Sequence, residues 1–219
     1  MRTLTEIAAS VETGDSARVK ELTRKALAQG RRPEKILDDA LIPGMSEVGR
    51  KFKNNEVFIP EVLIASRAMN VGLDILRPLF SPERASLRGR ILLATVKGDL
   101  HDIGKKIVGM MLEGAGYDVV DLGVDVSTVK ILRAVKAGRP AVLGLSALLT
   151  TTMSYMRDVV DAVEHARLRK RIKIVIGGAP VTRSYADEIG ADGYAPDAAS
   201  ALEMVKRLLG GRSQQGEGR

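Results

Sequence analysis

Short runs of aliphatic and β-branched residues alternate with helical segments after residue 89, and this alternation restricts the fold most. The five runs are RILLATV, YDVVDLG, AVLGLS, IKIVIGG and DGYAP. Between them lie KKIVGMMLEGAG, STVKILRAVKAG, the segment 152–168 and TRSYADEIG, whose apolar residues are typical of helices. Strands that alternate with helices form a parallel sheet covered on both faces. We therefore predict an α/β domain over residues 86–210.

The first 85 residues contain no such runs and show helical features only. Pro33 suits the first turn of one helix, and another begins near Pro60, where apolar residues recur at helical spacing. With the opening segment, this predicts about four helices, enough for a small bundle over residues 1–85. The stretch SPERASLRG has the composition of a linker, and we expect residues 211–219 to form a flexible tail.

The composition excludes several classes of protein. Cysteine is absent, so the chain has no disulfides and no thiolate metal ligands. A metal would have to bind histidine or carboxylates, or arrive inside a cofactor that supplies its own ligands. No apolar run approaches the ~18 residues of a membrane span, and the N-terminus lacks the apolar core of a signal peptide. We expect a soluble, cytoplasmic protein without a membrane partner.

The net charge of +7 raises the question of nucleic-acid binding. Aromatic residues make up only 3% of the chain, too few to provide platforms on which bases stack. The densest basic run, RLRKR at 167–171, falls where a helix is expected to end, and cations there suit the helix dipole. We therefore expect no nucleic-acid partner.

The stretch GDLHDIG follows the first predicted strand and contains His101, one of only two histidines. In parallel sheets, ligands bind beyond the carboxyl ends of the strands, and LSALLTTT and IGGAP also follow strands. Asp99 could orient the His101 ring as carboxylates orient metal-bound histidines, and Ser146, Thr150 and Thr152 should converge there. The alternative is that the histidine is structural and that the hydroxyl groups serve turns and caps.

Motifs of several familiar sites are absent. No serine lies in a G-x-S-x-G elbow, which excludes the common hydrolase arrangement. No G-x-G-x-x-G follows the first strand and no Walker lysine motif is present, so the usual nucleotide fingerprints are missing. Gly177 and Gly178 end a strand where a larger side chain would block a ligand against the sheet, although most such pairs are only turns.

The order D-L-H-D-I-G, then S-A-L, then G-G resembles the D-x-H-x-x-G…S-x-L…G-G signature of cobalamin-binding domains. The surrounding sequence resembles that of methionine synthase and of the small corrinoid proteins of methanogens and acetogens. GMSEVGRKFKNNEVFIPEVLIASRAM is similar to the helical cap of that family. The likeness covers about residues 5–209 and implies a four-helix bundle cap followed by a Rossmann-like (flavodoxin-like) domain with a five-stranded parallel sheet.

The resemblance implies a role for individual residues. His101 would be the lower axial ligand of cobalt, in the base-off/His-on state, and Asp99 would orient it. Thr152 falls where methionine synthase has a serine that completes this relay, and Asp38 falls where it has a glutamate. Positions that match cofactor contacts in the sheet domain are Gly98, Asp99, Leu100, His101, Asp102, Gly104, Ser146, Leu148, Thr150, Thr152, Gly177, Gly178 and Ala198; those that match the shield of the upper face in the cap are Phe52, Ile59 and Val62.

The resemblance implies a corrinoid carrier that is not an enzyme by itself. It would bind methylcobalamin or a related corrinoid. Its partners would be a substrate-specific methyltransferase, a second methyltransferase with an acceptor such as tetrahydrofolate or a thiol, and a reductive activase. Lys97, Lys105 and Lys106 near the site would be exposed and would aid docking or solubility.

Two other classes share parts of this sequence pattern. A cobalamin-dependent regulator or light sensor has the cap and the sheet, but it needs a DNA-binding module, and we expect none before residue 5. The small subunit of an adenosylcobalamin mutase has the histidine motif but lacks this helical cap. The sequence does not identify the methyl donor.

Overall fold

The computed structural model describes residues 2–80 and 89–210, so most of the predicted linker and the predicted tail lie outside the described residues. The chain divides into two compact units, residues 1–88 with 110–118 and residues 89–109 with 119–219. None of the helices in the described ranges is both long enough and apolar enough to cross a bilayer.

The first unit begins with helices, as predicted. They are α1 (Arg2–Glu12), α2 (Ser16–Ala28), α3 (Pro33–Ile36), α4 (Ile42–Lys53) and α5 (Ile59–Leu76). A π-helical turn, Leu37–Leu41, joins α3 to α4 without a break, and a 3-10 turn follows α5. The π turn was not expected from the sequence, and such turns occur frequently at functional sites.

Close helix packing holds the first unit together. Helix α2 packs on α5, and α1 packs on α2 and α4. A Cβ atom on Gly44 would lie 2.5 Å from the carbonyl oxygen of Ala8, so glycine lets α1 and α4 approach closely. The largest fully buried side chains of these helices are Ile7, Leu22, Ile36, Leu37, Leu41, Met69 and Leu76.

The second unit is built on a five-stranded parallel sheet, which confirms the predicted fold class. The strands are β1 (Arg90–Thr95), β2 (Asp118–Asp121), β3 (Val142–Ser146), β4 (Lys173–Gly177) and β5 (Gly193–Ala195). The helices that alternate with these strands are α6 (Ile103–Gly114), of which residues 110–114 belong to the first unit, α7 (Thr128–Gly138), α8 (Ser154–His165), α9 (Arg183–Glu188) and α10 (Ala198–Gly210). The sequence did not predict α10, and α8 is shorter than the predicted segment 152–168 at both ends, because a 3-10 turn occupies Thr150–Thr152 and a turn with a positive φ at Arg167 follows His165.

The strand order β2-β1-β3-β4-β5 places the functional loops. The chain runs outward in one direction from β1 and in the other from β3, so the order reverses between these two strands. In doubly wound sheets, ligands bind at this reversal, beyond the carboxyl ends of the strands. We call this side of the sheet the carboxyl edge, and the opposite side, where the helices lead into the strands, the amino edge.

Candidate functional site

Loops that follow β1 and β3 meet at the carboxyl edge around Asp99. The side chain of Asp99 is fully buried. Its Oδ1 atom accepts hydrogen bonds from the His101 backbone N–H at 3.1 Å and from Nδ1 of the His101 ring at 2.8 Å. The loop after β1 therefore brings the predicted pair together, with the carboxylate holding the ring as the sequence suggested.

The second carboxylate oxygen binds the loop after β3. Oδ2 of Asp99 accepts from the backbone N–H of Leu148 at 2.7 Å and of Leu149 at 3.1 Å. The Thr152 hydroxyl lies 2.8 Å from the same oxygen. This hydroxyl also lies 2.8 Å from the Leu149 carbonyl oxygen, and because it has one proton it donates to one acceptor at a time. One carboxylate thus joins two loops about fifty residues apart in sequence.

These contacts determine the ionisation of Asp99. Burial raises the pKa of this carboxyl, but hydrogen bonds from Leu148 N–H, from His101 and from the Thr152 hydroxyl outweigh it and hold the pKa well below its usual range. Asp99 is therefore a carboxylate, which only accepts hydrogen bonds. It follows that Nδ1 of His101 carries a proton, and in the neutral form of the ring Nε2 then has the lone pair that a metal would bind. The His101 side chain is 52% exposed, so the fold does not enclose the ring.

Two further residues hold the backbone of the histidine loop. The buried Thr95 at the end of β1 donates its hydroxyl to the His101 carbonyl oxygen at 3.0 Å. Asp125, in the loop after β2, accepts from Gly98 N–H at 2.7 Å and donates its own N–H to the Asp99 carbonyl at 2.9 Å. Sequence reasoning missed both. The signal for Asp125 was its place after β2, whose carboxyl end lies on the same edge.

Exposed apolar side chains come from the same two loops. Leu100 is 71% exposed and Ile103 is 72% exposed, while Leu148 and Leu149 are each exposed by more than 40%. Large aliphatic side chains exposed together mark a surface that another molecule covers. A half-exposed histidine ring in the same loop as Leu100 fits a metal held inside a broad, largely apolar ring. Within the described ranges, no group of three or more His, Cys, Asp or Glu side chains could hold a metal ion alone.

Gly177 and Gly178 have a structural reason for being glycine. A Cβ atom on Gly177 would lie 2.7 Å from the Ala195 carbonyl oxygen. One on Gly178 would lie 1.8 Å from the Ala147 carbonyl oxygen, and its φ of +129° also disfavours other residues. The sequence interpretation gave these glycines to a ligand that lies against the sheet. The structure shows that the neighbouring backbone already excludes a side chain at both.

The remaining predicted contacts in the second unit take various positions around the edge. Ser146 ends β3 and is half-buried, Thr150 is exposed in the 3-10 turn, and Ala198 is a buried residue that begins α10. Asp102 pairs with Lys106 at 2.5 Å, and a Cβ on Gly104 would meet no atom within 4 Å.

One expectation about the lysines was wrong. Lys105 is not exposed: its side chain is 2% accessible and forms an ion pair with Asp121. An ammonium group is buried only where a partner balances its charge, so Lys105 ties the start of α6 to the end of β2. Lys97 is exposed and lies over the Tyr155 ring at 5.7 Å, and Lys106 is exposed beside Asp102.

The predicted cap residues lie in the first unit. Phe52 is half-buried in the last turn of α4, and Ile59, the first residue of α5, is 41% exposed. Val62, one turn further along α5, is fully buried. Asp38 lies in the π-helical turn.

Comparison with known proteins gives consistent results across the chain. The B12 binding domain family matches residues 89–203, and a second B12 binding domain family matches residues 3–77. A corrinoid protein of Desulfitobacterium hafniense is 38% identical over 96% of this chain and 99% of its own length. Dimethylamine corrinoid protein 1 of Methanosarcina acetivorans is 41% identical over 94% of this chain and 97% of its own length. Among solved structures, the methanol:cobalamin methyltransferase complex MtaBC from Methanosarcina barkeri contains a chain that is 31% identical with a TM-score of 0.86, covering 96% of this chain and 80% of that one.

Proposed function

Because the chain belongs to the family of corrinoid proteins with B12 binding domains, we propose that it carries a methyl group on cobalamin between two methyltransferases. Cobalamin is its cofactor. The first methyltransferase would be specific for a methyl donor, and the second would use an acceptor such as tetrahydrofolate or a thiol. A reductive activase would be a third partner. The second B12 binding match, over residues 3–77, supports a carrier over a mutase small subunit, which lacks such a cap.

The single observation that carries the proposal is the arrangement of Asp99 and His101. The buried carboxylate holds Nδ1 at 2.8 Å, and the His101 side chain is 52% exposed. When bound, the corrinoid supplies a cobalt atom that accepts and releases a methyl group. His101 would bind that cobalt from below through Nε2, in the base-off/His-on state, and the negative charge of Asp99 would strengthen the imidazole as a donor.

Other residues of the chain would position the cofactor. Leu100, Ile103, Leu148 and Leu149 would cover the corrinoid on the side of His101 and exclude water, because their aliphatic side chains are exposed in the two loops that Asp99 joins. Ser146, Thr150, Gly177, Gly178 and Ala198 would lie along its nucleotide tail, and Phe52, Ile59 and Val62 belong to the same proposal as contacts from the cap. If Phe52 shields the methyl group, Phe52→Ala should raise the rate of photolysis of bound methylcobalamin by a larger factor than it lowers the equilibrium constant of folding.

The two histidines of the chain, His101 and His165, provide the test residue and its control for the first experiment. The apo protein is incubated with hydroxocobalamin and desalted, and retained corrinoid is measured by absorbance. The wild type should retain about one corrinoid per chain, and its reduced Co(II) form should show nitrogen coupling in the electron paramagnetic resonance spectrum. His101→Ala should lose that coupling. His165→Ala, whose ring nitrogen contacts the Asp161 carbonyl on α8, should keep it. Colourless wild-type protein, or coupling that survives in His101→Ala, would contradict the proposal.

A second experiment separates a carrier from a complete enzyme. The cobalamin-loaded chain alone should not demethylate methanol or methylamines, because the donor must be activated by another protein. Adding the cognate methyltransferase should restore turnover. The relatives are named for different substrates, dimethylamine in one and methanol in another. We therefore expect the partner to select the donor, and turnover by the chain alone would overturn this assignment.

A further inference from the structure

Seven helices of the described ranges end at a residue in the left-handed conformation, which favours glycine because it lacks a Cβ atom. Four of these residues are glycines and one is asparagine, which tolerates this conformation. The other two are arginines, Arg139 after α7 with a φ of 45° and Arg167 after α8 with a φ of 57°. The four glycines and the asparagine are Gly14, Gly30, Gly116, Gly190 and Asn55.

The backbone of the turn does not require arginine at position 167. Arg167 N–H donates to the Glu164 carbonyl at 2.8 Å, and Leu168 N–H donates to the Val163 carbonyl at 3.0 Å. The turn at Gly190 forms the same pair of bonds, from Gly190 and from the residue after it. The two turns are therefore equivalent, and the chain accepts a less favourable residue at one of them. Strain of this kind persists where the side chain has a use.

Both arginines lie at the amino edge of the sheet. Arg139 precedes β3 and Arg167 precedes β4, and these two strands are neighbours. Lys170 and Arg171 are in the same loop as Arg167, and all four side chains are exposed. Within the described part of the chain, none of the four has a hydrogen-bond or ion-pair partner for its side chain. We call these four residues the basic patch.

The nearby carboxylate of Asp192 does not neutralise this patch. Its Oδ2 accepts from Arg169 at 2.5 Å and from Ile174 N–H at 2.8 Å, and its Oδ1 accepts from Lys173 at 2.9 Å. The charge of Asp192 is balanced by these two cations. The basic patch therefore keeps its full positive charge for solvent or for a partner.

We infer that the basic patch is a docking surface for a partner protein with a carboxylate-rich face. Three of its four side chains are arginines, whose planar guanidinium groups bind carboxylates with two parallel hydrogen bonds. Residues 138–141 and 166–173 contain no aromatic side chain on which a base could stack, which favours a protein over a nucleic acid. The six residues of β1 separate this edge from the histidine loop by about 17 Å, so a partner here leaves His101 accessible.

The experiment uses the full chain and a fluorescent polyglutamate peptide of about 20 residues as the probe, followed by anisotropy at low salt. Arg139→Gly with Arg167→Gly should weaken binding by about 3- to 10-fold, the range expected for two exposed ion pairs. Glycine suits both turns, so the melting temperature should stay within about 3 °C of the wild type. Raising the salt should weaken wild-type binding more steeply than binding by the variant.

The control removes the same charge elsewhere. Lys20→Gln with Arg24→Gln changes two exposed residues of α2 and should alter binding by less than about twofold. An equal loss in this control would mean that only net charge matters, and would overturn the inference. A larger loss for a DNA duplex than for polyglutamate would assign the patch to nucleic acid, and a clear fall in melting temperature would make the arginines part of the fold. Cobalamin loading should not change any of these results, so they are independent of the proposed carrier function.

Discussion

The two edges of the sheet use a carboxylate in opposite ways. At the carboxyl edge, the donors to Asp99 are backbone N–H groups, a hydroxyl and an imidazole, and no lysine or arginine is among them. At the amino edge, two of the three donors to Asp192 are the cations of Arg169 and Lys173. We propose that Asp99 serves a ligand site, whereas Asp192 joins the first residues of β4 to the start of β5.

Replacing a glycine with a positive φ should give the largest difference in stability loss between the two edges. Gly178→Ala at the carboxyl edge should lower the free energy of unfolding by about 4 kcal/mol or more, because the new Cβ would collide with the Ala147 carbonyl. Gly190→Ala at the amino edge has a φ of +75° but open space, so it should cost only about 1–2 kcal/mol. Urea denaturation of both apo variants measures this, and equal losses would mean that the loop after β3 moves easily.

A smaller loss of stability, although still a large one, is expected when the buried carboxylate of Asp99 is replaced. Asp99→Asn preserves the size but replaces one accepting oxygen with an NH₂ group that faces existing donors. We expect a loss of roughly 2–4 kcal/mol of unfolding free energy in the apo protein and a weaker histidine–cobalt bond in the loaded one. Asp161→Asn on the exposed side of α8 is the control and should stay within about 0.5 kcal/mol.

The readout of this variant can separate two roles of Asp99. If the carboxylate orients and strengthens His101, the nitrogen coupling to cobalt should diminish in Asp99→Asn even in molecules that remain folded. A variant with reduced stability but an unchanged cobalt spectrum would show that Asp99 only fastens the loops. Unchanged stability and spectrum together would remove the contrast between the two edges.

At the amino edge, Asp192→Asn should have the smallest effect, and one that depends on pH. Burial raises the pKa of Asp192, but hydrogen bonds from Ile174 N–H, Lys173 and Arg169 outweigh it and lower the pKa below its ordinary value. Because the pKa of Asp192 is lower in the folded state, its ionised carboxylate stabilises the fold, and this stabilisation is complete at pH values above the unfolded pKa of about 3.9. It is lost as the pH falls through the pKa of the folded state. The variant should therefore be less stable by about 1–2 kcal/mol at pH near 7.

Urea denaturation of the wild type and Asp192→Asn at pH 7 and pH 3 tests the sign. The difference between the two proteins should shrink at the lower pH, because the unfolded wild type binds a proton at this carboxyl there before the folded form does, and this favours unfolding. A difference that grows on acidification would mean that the pKa of Asp192 is raised, and that its ion pairs do not hold the strand ends.

Local signals in the sequence were enough for most of the architecture. Runs of β-branched and aliphatic residues fixed the strands within a few residues, and the place of GDLHDIG after the first of them predicted the edge on which His101 lies. The pairing of Asp99 with His101 was also predictable, because the two residues are only two positions apart. The resemblance to cobalamin-binding domains added the cofactor, which no residue pattern in the chain specifies by itself.

Long-range contacts were decided only by the tertiary structure. Register between parallel strands brings Leu148 and Leu149 to Asp99 and Asp125 to Gly98, and no local pattern encodes a pairing across 27 to 50 residues. Burial of Lys105 depends likewise on the position of Asp121 at the end of β2. Periodicity is a property of neighbouring residues, so the sequence determined where helices and strands form. Which charges are paired and which remain free depends on packing between elements, and that only the folded chain decides.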